Sequence, residues 1–575
     1  MEQLYQKIKD ICRKHSNILN VIILALFCYL FLFHNLGYYP LVDIDETRYV
    51  NMSRDMFFLR DYVTPYLNFE NFLEKPPLYF WFNVAAYHLF NDTGVFVSRF
   101  ATALCAAFSI FFTYFFASKV MRSKAYGLIC AFVLLSSVWF LLLSHIAILD
   151  MSFMAFSMAA IYCAILSEFV KNENKKYCWY FAYFFMALSV LAKGLIGIII
   201  PAMVVFLSFL AFRKTKELFK PSNILPGILI FLLVAMPWHI LVYKAHGSIW
   251  FNDYIVKHHF ARFIDSSMGL GRKQPFLFYI PIIFAGIMPW SVSFIWQICR
   301  GIKSALKNYR AAKSIKVWFT SDTNDKKVIL FSVIYALSTL VFFSISSSKL
   351  PTYALTLFPA LSLIIGYFWW GYVCFDKYTK NLKISSLITF IIFIIAGIIG
   401  AFMFYFPPEI LSIYMPKLST FGNWACIWLI IMPLIGCLCI IAKNRALLFI
   451  SHVILMLGVM LISTVHVFPM ITSFGQNELE DFSKIAAYDK SSELVTFGFA
   501  RKYSLMNDFD KRIIYIIHTD SKDIEDFKKV IKNKKDKPVY VIIKNDTFEH
   551  FKPQGLFKDL KTVEKGDKYI LFVTK

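Results

Sequence analysis

The chain has 575 residues, 58% of them hydrophobic and 18% aromatic, with a formal net charge of +23 and a mean hydropathy of +0.58. Its apolar residues come in repeated blocks of roughly 20 with few charges, the helix length that crosses ~30 Å of hydrocarbon, which excludes a soluble globular protein. The positive balance calls for no nucleic acid, because Lys and Arg gather in the cytoplasmic loops of membrane proteins.

In chain order, Lys7, Lys9, Arg13 and Lys14 precede "ILNVIILALFCYLFLF" with no small-residue cleavage site after it, which reads as a retained signal anchor. Thirteen spans are predicted, near 18–36, 94–117, 125–143, 149–169, 177–192, 194–212, 224–242, 276–298, 328–347, 352–374, 384–406, 424–442 and 446–466. Alternate connections, among them "KVMRSK", "KNENKK", "RKTKELFK", 300–327, "DKYTKNLK" and "KNR", are all rich in Lys or Arg. That set is expected in the cytoplasm with the N-terminus, which leaves the loops 37–93 and 243–275 and the C-terminal tail outside. The predicted fold is an all-α polytopic membrane protein over 1–470, with a small α/β domain over 471–575. In that tail "ELVTFGF", "RIIYIIHT", "PVYVIIK" and "KYILFVTK" read as strands, and "SKDIEDFKKVIKN" as an amphipathic helix. It has no Gly-rich phosphate loop and no His/Cys cluster, so a structural or acceptor-assisting role is expected. The cysteines form no metal-type spacing, and neither a structural disulfide nor a Cys-based metal site is expected.

The unusual charges fall on the outer set of connections. "DIDETRYVNMSRDM" places Asp43, Asp45, Glu46 and Arg48 just past the first span. "NFLEKPPLYFWF" holds Glu74 and Lys75 in an extended turn, because Pro76 and Pro77 forbid helix behind them; the aromatic run that follows suits an interfacial helix. Asp150 opens the fourth span, Lys193 sits in the tight link of "VLAKGLIG", "KHHFARF" carries His258, His259 and Arg262, and "SSSKLPTY" carries Lys349 and Tyr353. Charges at a membrane edge are costly and gather in a cavity with partners. Taken singly, each has a plainer reading. Asp43 would cap a short helix, Arg54 and Asp55 would form a solvated helix face, Asp150 would be an N-cap and Lys193 would snorkel. His258 and His259 are adjacent and point apart on a helix, which argues against joint metal ligation.

Several cations with a few carboxylates at an outer face suit anionic lipid headgroups, since Lys and Arg neutralise phosphate oxygens. No P-loop or dinucleotide fingerprint is present. A transferase acting there needs a lipid-borne donor, and a polyprenyl-phosphate sugar supplies one whose phosphate leaving group fixed cations would stabilise. A carboxylate could deprotonate an acceptor or hold the sugar. A transporter of lipid-linked sugar is the reading from a different class, but it should show internal repeats and charges near the midplane, which this chain lacks.

"DIDETRYVNMSRDM", "YVTPYLNFENFLEKPPLYFW", "HHFARF…KQPFLFYIPIIFAGIMPW" and "SSSKLPTYALTLFPAL" together resemble the signature stretches of the bacterial aminoarabinose lipid A transferases, of the GT-C class with the protein O-mannosyltransferases. The resemblance runs in order over roughly residues 18–370; after 380 it lies in hydropathy and in ending with an outer domain. It implies a GT-C fold of thirteen spans in the bacterial inner membrane, with the N-terminus cytoplasmic and the C-terminal domain periplasmic. The partners implied are an undecaprenyl-phosphate-linked sugar donor, a lipid A phosphate acceptor and the bilayer. No cofactor is required, and a divalent cation is left open. By match to "DETRY", Asp45 is the catalytic-type aspartate, Glu46 is assigned to catalysis with it, and Arg48 beside them to the donor phosphate. By match to "EKPP", Glu74 and Lys75 line the site with Lys75 on the donor phosphate. "HHFARF" matches a stretch "EHIxRF", making Arg262 a phosphate ligand; His258 stands where that stretch has Glu, which leaves sugar choice open. Lys193, Lys349 and Tyr353 are assigned to donor binding, Asp150 and His259 to the pocket wall. A phosphate acceptor is largely ionised at neutral pH, its second pKa lying near ~6, so the site must offset repulsion between two phosphates rather than supply a strong base. Transfer to a protein hydroxyl or another glycan is the alternative, and would lean on Asp45 as base.

Overall fold

The computed structural model describes residues 16–261, 274–312, 323–406, 415–473, 476–507, 509, 511–532 and 537–574. Each predicted span has helix in its place, but not all are simple spans. Among the described residues eight helices are long and apolar enough to cross a membrane, or nine if one bent pair counts as a span. Val95–Met121, Leu149–Leu166, Asn324–Ile345, Pro351–Phe375, Thr379–Met403, Trp424–Ile441 and Arg445–Val467 follow the apolar blocks closely.

Three predicted spans are reshaped. The block at 125–143 is two helices, Lys124–Leu135 and Val138–Ser144, bent by 66°. The bend falls at two adjacent serines whose hydroxyls turn back on their own helix, Ser136 Oγ donating to Phe132 O (2.6 Å) and Ser137 Oγ to Val133 O (2.7 Å). Such back-bonding competes with the backbone ladder and bends helices. The block at 276–298 breaks at Met288–Pro289 into Tyr279–Gly286 and Ser291–Ala312, because Pro has no N–H to continue the ladder. The seventh predicted span lies in Pro221–Trp250, which is kinked at Gly247 (φ 56°), and helix resumes beyond the kink to Lys257, so the predicted loop 243–275 begins as helix.

Close helix contact is set by small residues. The helices Asn172–Lys193 and Ile196–Ala211 turn back on each other within a few residues. A Cβ on Gly197 would lie 2.4 Å from the Ser189 carbonyl carbon and 2.5 Å from the Val190 nitrogen, so only glycine lets the backbones meet there.

The C-terminal unit holds a sheet of five strands, preceded by helix Asn477–Tyr488. Two short strands in the first large loop, β1 (Tyr66–Leu67) and β2 (Glu70–Asn71), pair antiparallel. The five are β3 (Glu493–Phe497), β4 (Ile513–Ile516), β5 (Val539–Lys544), β6 (Leu560–Lys565) and β7 (Tyr569–Thr574), in the order β4-β3-β5-β7-β6. β3 is parallel to both β4 and β5, and β7 is antiparallel to β5 and β6. The four predicted strands and the helix Ser521–Lys532 are present. β6 is an addition; its "LKTVEK" is exposed after its first residue and carries no apolar alternation.

Both faces of the sheet are covered. Val495 and Phe497 pack on Phe527 of helix Ser521–Lys532. The alternate residues Leu494, Ile542 and Leu571 join Leu479 and Phe482 in a core continuous with the membrane helices. This continuity sets the unit against the first large loop.

Candidate active site

The loop after the first span opens with helix Asp45–Leu59, whose residues fall on three faces by the 3.6-residue period. Each face meets a different part of the molecule.

The first face carries Glu46. Its carboxylate and the Arg99 guanidinium are both 0% exposed and meet in a two-pronged pair, at 2.7 Å (Nε–Oε1) and 2.9 Å (Nη2–Oε2). The backbone N–H groups of Val42 and Ala147 also donate to Glu46, each at 2.7 Å. Arg99 donates on to the carbonyls of Leu36, Tyr39 and Pro40 at 2.9–3.0 Å, and Tyr39 stacks on it at 3.9 Å. A buried carboxylate stays charged only with such partners. Glu46 is thus a tie between the first span, the second span and the segment before Asp150. That geometry does not fit the reading of Glu46 as a catalytic carboxylate.

The second face carries Thr47, Asn51 and Arg54 and, with Asp43 in the turn just before the helix, meets the C-terminal unit. Asp43 accepts from Thr47 Oγ1 (2.6 Å), from Ser504 N (3.0 Å) and from Ser504 Oγ (2.7 Å). Asn51 Nδ2 donates to Tyr503 O at 3.0 Å, and Arg54 donates to Asn507 Oδ1 at 3.3 Å and twice to Thr93 O, at 2.8 and 3.2 Å. The expectation of a solvated face at Arg54 and Asp55 is overturned. Arg54 is half-buried, and Asp55 is 4% exposed with Oδ2 accepting from Phe69 N at 3.1 Å. Burial pushes the Asp55 carboxyl up to about 6.

The third face carries Asp45, Arg48 and Tyr49. Asp45 is 62% exposed and pairs with Arg48 Nη2 at 2.7 Å. Arg48 Nη2 also donates to the Tyr49 hydroxyl at 3.2 Å, while Arg48 Nε is buried and has no protein partner among the described residues. Burial disfavours the Arg48 cation, but Tyr49 and Asp45 beside it outweigh this and hold it above its ordinary value. Burial likewise pushes the Tyr49 phenol well up; Arg48 pulls it down, and Asp45 and Asp150 push it up. Tyr49 therefore stays protonated, within electrostatic reach of both carboxylates.

Asp150 belongs to a second cluster. It lies in the first turn of Leu149–Leu166 and pairs at 2.5 Å with Lys193, in the last turn of Asn172–Lys193. Each charge sits at the helix end whose dipole favours it. Lys193 Nζ also lies 4.2 Å from the centre of the Tyr353 ring and 5.1 Å from that of Phe153, in cation–π contact. Tyr279 is within electrostatic reach of Tyr353 and Asp150. Asp150, Lys193 and Tyr353 thus meet in one cluster, and the Tyr49 phenol beside Arg48 is within electrostatic reach of both Asp45 and Asp150.

The other predicted residues fall as follows. Glu74 and Lys75 are half-buried in the turn before helix Leu78–Phe90, as the prolines require. Lys349 is 6% exposed, and its amine is held by the carbonyls of Ser346 (2.8 Å) and Gln274 (3.2 Å); it ties the end of Asn324–Ile345 to residue 274. Arg262 lies outside the described residues, as do the side chains of His258 and His259. Two clefts open elsewhere on the described surface, and none of these cluster residues lines either. One, of about 530 Å³, is lined by Tyr38, Arg54, Phe58, Asp92 and Lys484. The other, of about 500 Å³, is lined by Leu73, His246, Asn252, Asp253 and Lys257. Tyr49 and Tyr279 were not singled out by the sequence reading, because one tyrosine among 31 carries no signal. Arg99 had one, a lone arginine inside an apolar block.

Comparison with known proteins bears on this arrangement. Residues 17–255 match the family model of dolichyl-phosphate-mannose-protein mannosyltransferases. The chain is 31% identical over 329 residues to an undecaprenyl phosphate-alpha-4-amino-4-deoxy-L-arabinose arabinosyl transferase of Proteus mirabilis, covering 56% of this chain and 54% of that protein. It is 26% identical to the transferase of the same name from Yersinia enterocolitica, over 66% of each. The chain thus spans between half and two thirds of the length of these curated relatives. In structure it is similar to ArnT from Cupriavidus metallidurans, solved bound to undecaprenyl phosphate, with a TM-score of 0.77 at 19% identity over 96% of this chain and 97% of that one. The apo form of the same protein gives 0.73 at 20% identity. The resemblance read from the signature stretches is therefore matched in sequence and in fold: this is a multi-pass membrane protein with the GT-C fold of the aminoarabinose transferases.

Proposed function

We propose that the chain is an integral-membrane glycosyltransferase of the bacterial inner membrane. It moves an aminosugar from an undecaprenyl-phosphate donor to a phosphate of lipid A at the periplasmic face. The observation that supports this is the pair of clusters Asp45–Arg48–Tyr49 and Asp150–Lys193–Tyr353, with Tyr49 within electrostatic reach of Asp150. The sequence and fold likenesses support the same reading.

In this mechanism an ionised oxygen of the acceptor phosphate attacks the anomeric carbon, and the bond from that carbon to the donor phosphate oxygen breaks. Undecaprenyl phosphate leaves with the bonding electron pair. No proton has to be removed from a dianionic acceptor. The protein must instead hold two anions together and stabilise the charge on the departing phosphate, which fixed cations in a low-dielectric site do well. Arg48 offers a buried donor for this, and Lys193 a cation fixed by Asp150 and the Tyr353 ring. Lys75 and Arg262 are assigned to donor phosphate by the sequence resemblance. In this reading Asp45, the exposed carboxylate of the helix, holds the sugar, including a sugar amine.

The match of residues 17–255 to protein mannosyltransferases favours a second reading, transfer to a protein hydroxyl. Mass spectrometry of lipid A from cells with and without the chain separates the two. A mass increment of one aminosugar on lipid A supports the first; unchanged lipid A with newly glycosylated protein supports the second.

A further inference from the structure

We infer that Ser504, in the C-terminal unit, is a positioning residue for the Asp45 helix, an inference that rests on the proposed transferase reading for its kinetic consequence. The helix Asp45–Leu59 presents Asp45 and Arg48 on one face while its opposite face is held by the C-terminal unit. What fixes its first turn is not the helix itself. Its N-cap, Ile44, makes no side-chain cap, so the first turn lacks the usual local anchor.

The anchor comes from more than 430 residues away in the chain. Ser504 grips both Asp43 carboxylate oxygens, with its backbone N–H at 3.0 Å and its hydroxyl at 2.7 Å. Gln476 holds the same residue from the other side, accepting from Asp43 N at 3.0 Å and donating to Leu41 O at 2.7 Å. Ser504 is 0% exposed and Gln476 6%. Asp43 passes the constraint on through Thr47, which it accepts at 2.6 Å, one turn into the helix. Asn51 bound to Tyr503 O and Arg54 bound to Asn507 repeat the contact with the same short helix, Tyr503–Asn507. Glu46 and Arg99 pin the remaining face to the membrane helices. Rotation of the helix about its axis is blocked from two sides, and Asp45 is left as the exposed charge between them. An angstrom of misplacement in such a group is enough to slow a reaction about a hundredfold. The C-terminal unit thereby acts on the reaction through the Asp45 helix.

The test uses the full-length chain in detergent micelles, as wild type, Ser504→Ala and Ser504→Thr. Three readings are taken: hydrogen–deuterium exchange over residues 41–59, thermal unfolding, and steady-state transfer from undecaprenyl-phosphate aminoarabinose to lipid A. Ser504→Ala is expected to speed exchange at the start of the helix and to lower kcat about tenfold or more. KM for the donor should change less than kcat, and the unfolding midpoint should be unchanged. Ser504→Thr, which keeps the hydroxyl, should restore both exchange and kcat. Wild-type exchange and kcat in Ser504→Ala would overturn the inference, and so would an equal loss in Ser504→Ala and Ser504→Thr accompanied by a lowered midpoint. If the wild-type chain transfers no sugar, the transferase reading falls, and the exchange comparison still decides whether Ser504 holds the helix.

Discussion

Three carboxylates within four residues do three different things. Asp43 faces the C-terminal unit, Glu46 is buried against Arg99, and Asp45 alone is exposed. Their chemistry is the same; a 100° helix step separates Asp45 from Glu46, and Asp43 lies in the turn before the helix. Glu46→Gln should therefore act on stability first. It removes the charge but not the buried Arg99 cation, and breaking such a pair costs about 3–5 kcal/mol. The expected outcome is a clear drop in the thermal midpoint of the purified chain; a midpoint equal to wild type would contradict the structural role. Asp55 makes a pH prediction. Burial raises its carboxyl to about 6 in the fold, so between the ordinary carboxylate range and pH 6 the native chain binds more protons than the unfolded one. Stability from this residue is present at low pH and is lost as pH rises through about 6. Asp55→Asn, which keeps an acceptor for Phe69 N, should flatten the stability profile between roughly pH 4 and 6 and leave the chain at least as stable at neutral pH. A profile parallel to wild type across that window would show that Asp55 is not held protonated.

The elements that build the site meet at tight turns. Lys193 is delivered by the end of one helix, and Gly197 lets the next helix close against it. Gly197→Val would press a side chain onto the Ser189–Val190 backbone, which cannot yield as a side-chain tip can. Overpacking of this kind costs about 1–3 kcal/mol, and here it should also lower transfer by shifting Lys193 from Asp150. Thermal unfolding and kcat measured together check this; wild-type values in both would remove the link between the turn and the site. The helices themselves were largely legible, because apolar blocks of membrane length have few other uses. Bends were not: two serines at 136 and 137 and one proline at 289 inside apolar blocks decide them through backbone hydrogen bonding, which hydropathy does not register. β6 was missed for the converse reason, since an exposed strand can be polar throughout.

At the scale of the whole molecule, Asp150, Lys193 and Tyr353 meet from three separated stretches of the chain. Their selection was legible, because charge at a membrane edge is expensive and gathers with partners. The neutral half of the site was not. Tyr49 and Tyr279 are indistinguishable in sequence from core aromatics, and Ser504 is one serine in the C-terminal unit. The role of the C-terminal unit was readable only as far as "structural or assisting"; its grip on Asp43 depends on contacts between residues more than 430 positions apart. The central claim is that Asp45 works as a group of the transfer site held in place by everything around it. The most direct measurement is mass spectrometry of lipid A after incubation of the purified chain, wild type or Asp45→Asn, with an undecaprenyl-phosphate aminosugar. The account predicts an increment of one sugar with wild type and none with Asp45→Asn, at equal thermal midpoints. Equal increments from the two proteins would contradict it.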